Sequence, residues 1–522
     1  MNTAKKIEFG DFQTPLELAL DITTFLADSG EEPDIIIEPT CGLGNFVKAS
    51  TEHFPLAKAI YGFDINPHYI REAQDAITET KIQLKCLNFF QFDWAEFFTS
   101  LSGRILIIGN PPWVTNTTLG TMGSNNLPTK SNFQGHNGFA AKTGKANFDI
   151  SEWMLIRIIE ALHQRDGCVA MLCKTSTARK TLRHAWINKL NIGNCSLHLI
   201  DAKKYFGASV DACLLLLHTG ITGSVTSAGV YPSLSFDNNI STIGLVGKEL
   251  VADIDGYLNL QDIEGTPYYT WRSGVKHDSV ATMEFTRDNG HYVNGKHEKY
   301  QLEDTYIFPL LKSSDIANGR IAPEKYVLLT QQRPSDETLS IKTIAPKTWD
   351  YLVEHAGTLD NRRSIIYNKR PQFSVFGVGD YTFAPWKVAV SGLYKNYRFH
   401  IIGKYQGKPI VVDDTCYFIP CASEKEALFV LDLLNSDICQ RFLRSLVFVD
   451  AKRPITIDIL NRIGLKQIAE HLNRPEEAKE LLSGAGKFES RQHLMVFEKK
   501  TRYRTKHHDK QRHESNIMPL PT

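Results

Sequence analysis

Short apolar, β-branched runs separated by amphipathic stretches fill residues 13–220, and this alternation leaves few architectures open to the chain. Ile35-Ile36-Ile37 reads as a first strand, Ile60-Tyr61-Gly62-Phe63 as a second and Arg104 to Ile108 as a later one, with further strands at 168–173 and 212–217. Between them lie helical stretches such as 67–78, opened by Asn66 as N-cap and Pro67 at the first helical position. Strands that alternate with helices pack as an α/β domain around a mostly parallel, doubly wound sheet.

At 522 residues the chain exceeds one core, so a second body is expected. Residues 1–225 are assigned to the α/β domain and the Gly-, Ser- and Asn-rich stretch 226–265 to a connecting region with a few edge strands. Residues 266–480 read as a mixed α+β domain in which short strands alternate with turns, as over 373–381, and one helix runs 423–435 with Ser423 and Glu426 in capping-box spacing. The stretch 487–514 has nine Lys/Arg against four Asp/Glu, and 487–522 is expected to be a basic, disordered tail.

The 42% hydrophobic and 22% charged content is that of a water-soluble globular protein, and no apolar stretch approaches the eighteen residues of a membrane span. A cytoplasmic protein is expected. The nine cysteines form no Cys-x-x-Cys pair and sit mostly in apolar runs, so neither metal nor disulfide is implied. A net charge of +1 means that any nucleic-acid partner must be drawn by a local patch.

The first strand runs into Glu38-Pro39-Thr40-Cys41-Gly42-Leu43-Gly44, a turn whose glycines let the backbone approach a ligand. Asp64 ends the second strand twenty positions beyond Gly44, where a carboxylate can accept from two ribose hydroxyls. The turn lacks the third glycine and the Lys-Ser/Thr of a phosphate cradle, which disfavours NAD and ATP. Glu38 adds a carboxylate for a cationic amino group, and S-adenosylmethionine combines an amino group and a ribose without phosphate.

The strand at 104–108 leads into Gly109 and then Asn110-Pro111-Pro112-Trp113. Two prolines remove two backbone donors and stiffen the chain at a strand's carboxyl end. Adenine's amino nitrogen is a poor nucleophile because its lone pair is delocalised into the ring. The Asn110 Oδ1 and the Pro111 carbonyl, each accepting one amino N–H, would favour a pyramidal nitrogen able to attack a sulfonium methyl. Trp113 offers a face on which a base can stack, a contact of about 1–3 kcal/mol.

Together, Phe12-Gln13-Thr14-Pro15, the glycine turn, Asp64 and Asn110-Pro111-Pro112-Trp113 resemble the gamma class of N6-adenine DNA methyltransferases of type II restriction-modification systems. The resemblance covers residues 11–220. It implies a Rossmann-like class I S-adenosylmethionine-dependent methyltransferase domain followed by a DNA target-recognition domain. It implies that Phe12, Thr14 and Pro15 line the methionine end of the cofactor, with Glu38, Pro39, Cys41, Gly42 and Gly44 around it and Asp64 on the ribose. Asn88-Phe89 stands where the family has Asp-Phe at the adenine end, and Asn110 borders both cofactor and base. Phe206, before the strand at 212–217, matches the aromatic that stacks on the second face of the target base.

A flipped adenine in double-stranded DNA is then the expected substrate, with a cognate restriction endonuclease as partner and a monomeric chain. The polar stretch 114–149, with Lys130, Lys142 and Lys145, is expected to be a lid. Basic residues near aromatics, namely Lys312, Lys369, Arg370, Lys387, Lys395, Lys452 and Arg453, are candidates for DNA contact. Three readings stay open beside this one: an RNA adenine methyltransferase, a protein glutamine-N5 methyltransferase and an inactive DNA-binding subunit.

Overall fold

In the computed structural model, residues 13–114, 149–220, 225–482 and 488 are described. Phe12, all of the expected lid over 114–149 but its two end residues, and all of the basic tail over 487–522 but residue 488 lie outside the described residues.

A ten-stranded sheet organises the first half of the chain. Its strands are β1 (Ile35–Glu38), β2 (Ala59–Asp64), β3 (Ile82–Cys86), β4 (Ile105–Gly109), β5 (Gly167–Lys174), β6 (Ile192–Ile200), β7 (Ala212–Thr219), β8 (Ser227–Tyr231), β9 (Ser241–Val246) and β10 (Glu249–Val251). They lie side by side in the order β10-β9-β8-β6-β7-β5-β4-β1-β2-β3. Strands β3, β2, β1, β4 and β5 are parallel, and β7 enters antiparallel between β5 and β6. The edge strands expected within 226–265 are present, and they extend this sheet because β8 pairs parallel with β6.

The central strands are continuous apolar runs because helices cover both faces. Seven helices among the described residues belong here: α1 (Leu16–Asp28), α2 (Asn45–His53), α3 (Pro67–Ala76), α4 (Trp94–Ser100), α5 (Ile150–Leu162), α6 (Thr175–Ile187) and α7 (Ala202–Phe206). Alternate strand residues point to opposite faces. Ile36, Leu106, Ile108 and Ala170 pack with Leu18, Ile22 and Leu26 of α1. Their neighbours Ile35, Ile37, Ile105, Ile107 and Val169 pack with Phe98, Leu155 and Leu182 of the opposite layer. Asn66 caps α3 as its sequence position suggests, accepting from His68 N at 3.0 Å.

The C-terminal half holds a four-stranded sheet that includes Trp386–Ser391 and Cys416–Cys421 and a six-stranded sheet that includes Glu284–Asp288 and Ile307–Leu311. Helices Glu424–Asn435 and Asp437–Leu446 pack against the former through Phe429, Leu433, Phe442 and Leu443. Ser423 Oγ accepts from Glu426 N at 3.2 Å, and Glu426 returns a carboxylate to Ala422 N, one residue short of the capping-box partner. The segment 373–381 forms no strand, contrary to its alternating pattern. Phe373 and Gly377 take positive φ, which interrupts extended backbone, while Phe373, Val375 and Val378 still fill the core.

The candidate active site at the carboxyl end of the first sheet

Chain order reverses direction across the sheet between β1 and β4, so the turns leaving these adjacent strands diverge and leave a crevice at their carboxyl ends. The glycine turn and the Asn-Pro-Pro-Trp turn thus become neighbours, with Thr40 Oγ1 donating to the Asn110 carbonyl at 3.5 Å. Two motifs seventy residues apart in sequence form one site.

The glycine turn is held by carboxylates. Asp64 accepts from Gly42 N at 2.9 Å on one oxygen and from Asn66 N at 2.8 Å on the other. A carboxylate has about four acceptor positions, so shaping the turn is compatible with accepting from a diol. Gly42 and Gly44 have φ of +51° and +79°, which only glycine adopts without strain. A Cβ on Gly42 would meet Gln13 Oε1 at 2.3 Å, and that oxygen accepts from Leu43 N at 3.1 Å. Asn45 Nδ2 donates to the Thr14 carbonyl at 2.8 Å, so the Thr14-Pro15 segment is fastened to the same turn. In the sequence, Gln13, inside the Thr-Pro motif, and Asn45 carry no role of their own, since neither fastening has a local signature.

Glu38 ends β1 with its carboxyl buried, 3% exposed, and accepts from Val47 N at 3.2 Å. Burial pushes this carboxyl well above the usual range, opposed by that hydrogen bond and reinforced by the Asp64 charge. Pro39 and Cys41 are buried beside it, and burial raises the Cys41 thiol as well. Asn88 and Phe89 follow β3 on the same side of the sheet. Asn88 Oδ1 accepts from Phe90 N at 3.0 Å, and the Phe89 ring is buried against Trp94 with centroids 4.9 Å apart.

Half-buried Asn110 and Pro112 alternate with buried Pro111 and Trp113 along the second turn. The Trp113 ring meets Phe206 edge to face at 5.3 Å, so the two aromatics expected to flank a base do converge. Trp113 Nε1 is buried and finds no hydrogen-bond partner among the described residues.

No known family model matches the chain. Type II methyltransferase M.NspV of Nostoc sp. (strain ATCC 29411 / PCC 7524) is 44% identical over 477 residues, which span 89% of this chain and 98% of that protein. The chain belongs to the type II methyltransferases. Type II methyltransferase M.CvrRI of Paramecium bursaria Chlorella virus XZ-6E is 30% identical over 118 residues, 23% of this chain and 28% of that one. Among solved structures, the type IIL restriction-modification enzyme MmeI in complex with DNA shares the fold at a TM-score of 0.50 and 11% identity, matching 88% of this chain and 65% of that enzyme.

This type II methyltransferase has the class I fold and takes S-adenosylmethionine as its methyl donor. The residues at the crevice are of the kinds that group needs: a glycine turn at positive φ, a buried acid at Glu38 and a second acid at Asp64. No described helix of the methyltransferase is long and apolar enough to cross a membrane.

Its C-terminal half reaches the crevice as well. Asp450 pairs with Arg179 of α6 at 2.6 Å and accepts from Thr175, the residue after β5, while the Arg179 guanidinium lies 4.3 Å from the Phe448 ring. Lys452 and Arg453 follow on this loop and are exposed. Two other basic candidates for DNA contact, Lys312 and Lys387, are bonded inside the C-terminal half, and only the second is fully buried. Lys312 pairs with buried Glu284 at 2.5 Å and Asp413 at 3.4 Å. Lys387 is 1% exposed, donates to the Ala384 and Ile410 carbonyls at 2.9 Å, and is pushed down to about 7 by burial. Both are engaged within the fold, and buried Lys387 cannot reach a phosphate.

Proposed function

We propose that this methyltransferase transfers the methyl group of S-adenosylmethionine to N6 of an adenine flipped out of double-stranded DNA. The observation that carries the reading is the adjacency of the Asn110-Pro111-Pro112-Trp113 turn to the glycine turn, bridged from Thr40 to the Asn110 carbonyl. Asn110 Oδ1 and the Pro111 carbonyl would draw on the two amino hydrogens, so that the nitrogen lone pair turns toward the sulfonium methyl. That nitrogen forms the new C–N bond as the C–S bond breaks, and S-adenosylhomocysteine leaves. The amino nitrogen then gives up one proton to water or to a neighbouring acceptor. Phe12, Thr14, Pro15, Glu38, Pro39, Cys41, Gly42 and Gly44 would surround the methionine part, Asp64 the ribose, and Asn88 and Phe89 the adenine end.

Trp113 and Phe206 would hold the flipped base. Their edge-to-face contact at 5.3 Å leaves no parallel slot, so one ring turns when a base enters. The C-terminal half, fastened to α6 through Asp450, would recognise the target sequence, and a restriction endonuclease of the same specificity would be its counterpart. The test is expression in a host lacking adenine methylation, with its DNA sequenced for modified bases. N6-methyladenine at one recurring sequence is expected; methylation of cytosine alone, or none from a folded and cofactor-bound protein, would overturn the reading.

A further inference from the structure

We propose that Lys174 is a positioning residue for methyl transfer, which holds the Asn110-to-Trp113 turn at the carboxyl end of the sheet; this rests on the reading of that turn as the site of chemistry. Pro111 and Pro112 have no N–H, so the turn cannot be tied down through backbone donors at its centre. Its next anchor is the Trp113 carbonyl. Lys174, the last residue of β5, donates its Nζ to that carbonyl at 3.1 Å. The same ammonium donates to Asp149 Oδ2 at 2.6 Å.

Asp149 is itself placed by a second pair of contacts. It caps α5, accepting from Ser151 N at 3.1 Å and Ser151 Oγ at 2.6 Å. Beside it, Ile150 N donates to the Val114 carbonyl at 2.8 Å. The chain therefore leaves the turn and returns to α5 at one point, and a single ammonium ties both strands of that point to β5. The Lys174 and Asp149 side chains are 24% and 9% exposed, so their attraction is poorly screened by solvent. Removing the lysine alone strands a buried carboxylate, which is why the informative variant removes both charges.

Such a bridge acts on rate because acceptors preorganised to the reacting amino group lose effect when displaced by a fraction of an ångström. Lys174→Met/Asp149→Asn keeps the α5 cap oxygen and removes the bridge. Labelled S-adenosylmethionine and genomic DNA from a host without adenine methylation give single-turnover rates. The double variant is expected to melt near the wild-type temperature, bind cofactor within about threefold and transfer methyl about 10- to 100-fold more slowly. Lys174→Arg, which can still donate to both acceptors, is expected within about threefold of the wild-type rate.

A wild-type rate in the double variant, or Lys174→Arg as slow as the double variant, overturns the assignment. So does a loss of rate matched by loss of cofactor binding and melting temperature, since that is the signature of a merely structural pair. Failure of the underlying reading shows elsewhere, in the identity of the methylated base and in an unchanged rate for Asn110→Ala.

Discussion

The two ends of the first sheet are built from the same strands and differ in what their polar residues are bonded to. At the amino end, side chains join one another across the strands: Glu31 pairs with Arg104 at 2.9 Å and His218 at 2.7 Å, and Asp34 pairs with Lys58 at 2.7 Å. At the carboxyl end, Asp64 and Glu38 accept from backbone and Lys174 donates to a backbone carbonyl as well as to Asp149, shaping turns that leave the sheet. One end is sewn shut and the other is sculpted. Glu31, Cys168 and His218 bring potential metal-ligand atoms within 4.8 Å of one another, and Glu31 spends its two carboxylate oxygens on Arg104 and His218. Carboxyl-end substitutions should therefore damage chemistry and spare stability, and amino-end substitutions the reverse.

The largest expected effect is that of Asn110→Ala. Loss of one preorganised acceptor at the reacting amino group should cost about 10²- to 10³-fold in single-turnover rate, by analogy with a lost oxyanion-hole donor. Cofactor affinity measured by calorimetry should change little. A variant that unfolds at lower urea would mean that this turn is part of the frame, and the contrast between the two ends would fail.

Glu38→Gln should come next. Replacing a buried acid by its neutral isostere removes the proposed partner of the cofactor's ammonium, a charged hydrogen bond of about 1.5–3 kcal/mol, so cofactor affinity should fall roughly 10- to 100-fold at neutral pH. Burial raises this carboxyl, so the wild-type protein should bind more weakly as pH falls and Glu38 takes up a proton, whereas the Gln variant should lack that dependence. An identical pH profile in both proteins would remove Glu38 from the cofactor's ammonium.

Much of this end was legible from the chain because its signals are local. Strand periodicity located β1, β2, β4, β5 and β7 to within about two residues, and Asn66-Pro67 marked the start of α3 through capping chemistry that depends on neighbours alone. Strand β6 was not anticipated, since Asn194, Ser196 and His198 interrupt its apolar pattern; the last two bond to each other at 2.9 Å inside the sheet. What the sequence could not show were contacts between distant segments, namely Gln13 on the glycine turn, Lys174 on Trp113 and Asp450 on Thr175 and Arg179. A lysine at a strand's end or an acid in a loop has the same local signature whether it meets solvent or a partner. For the same reason Lys312 and Lys387 read as surface cations, although tertiary packing buries Lys387 and pairs half-buried Lys312 with Glu284 and Asp413.

The smallest effect should come from the sewn end, and it should be one of stability alone. Its hydrogen bond to Glu31 raises the His218 imidazole above its usual range, against the opposing cost of burial. A group whose folded value is raised contributes stability that is fully present below its unfolded value, near 6.5, and is lost as pH rises through the folded value. His218→Gln keeps a donor toward Glu31 but no charge. Urea midpoints should therefore show it less stable than wild type by about 1–2 kcal/mol at pH 5.5, with the gap closing by pH 9. Methyl-transfer rate at neutral pH should stay within about twofold, because His218 lies near the amino end of β5, six residues of sheet register away from Lys174 and the turn it holds. A stability gap that does not close with pH would place the effect in packing rather than charge, and a slowed rate would show that the seam and the sculpted face are mechanically joined through β5.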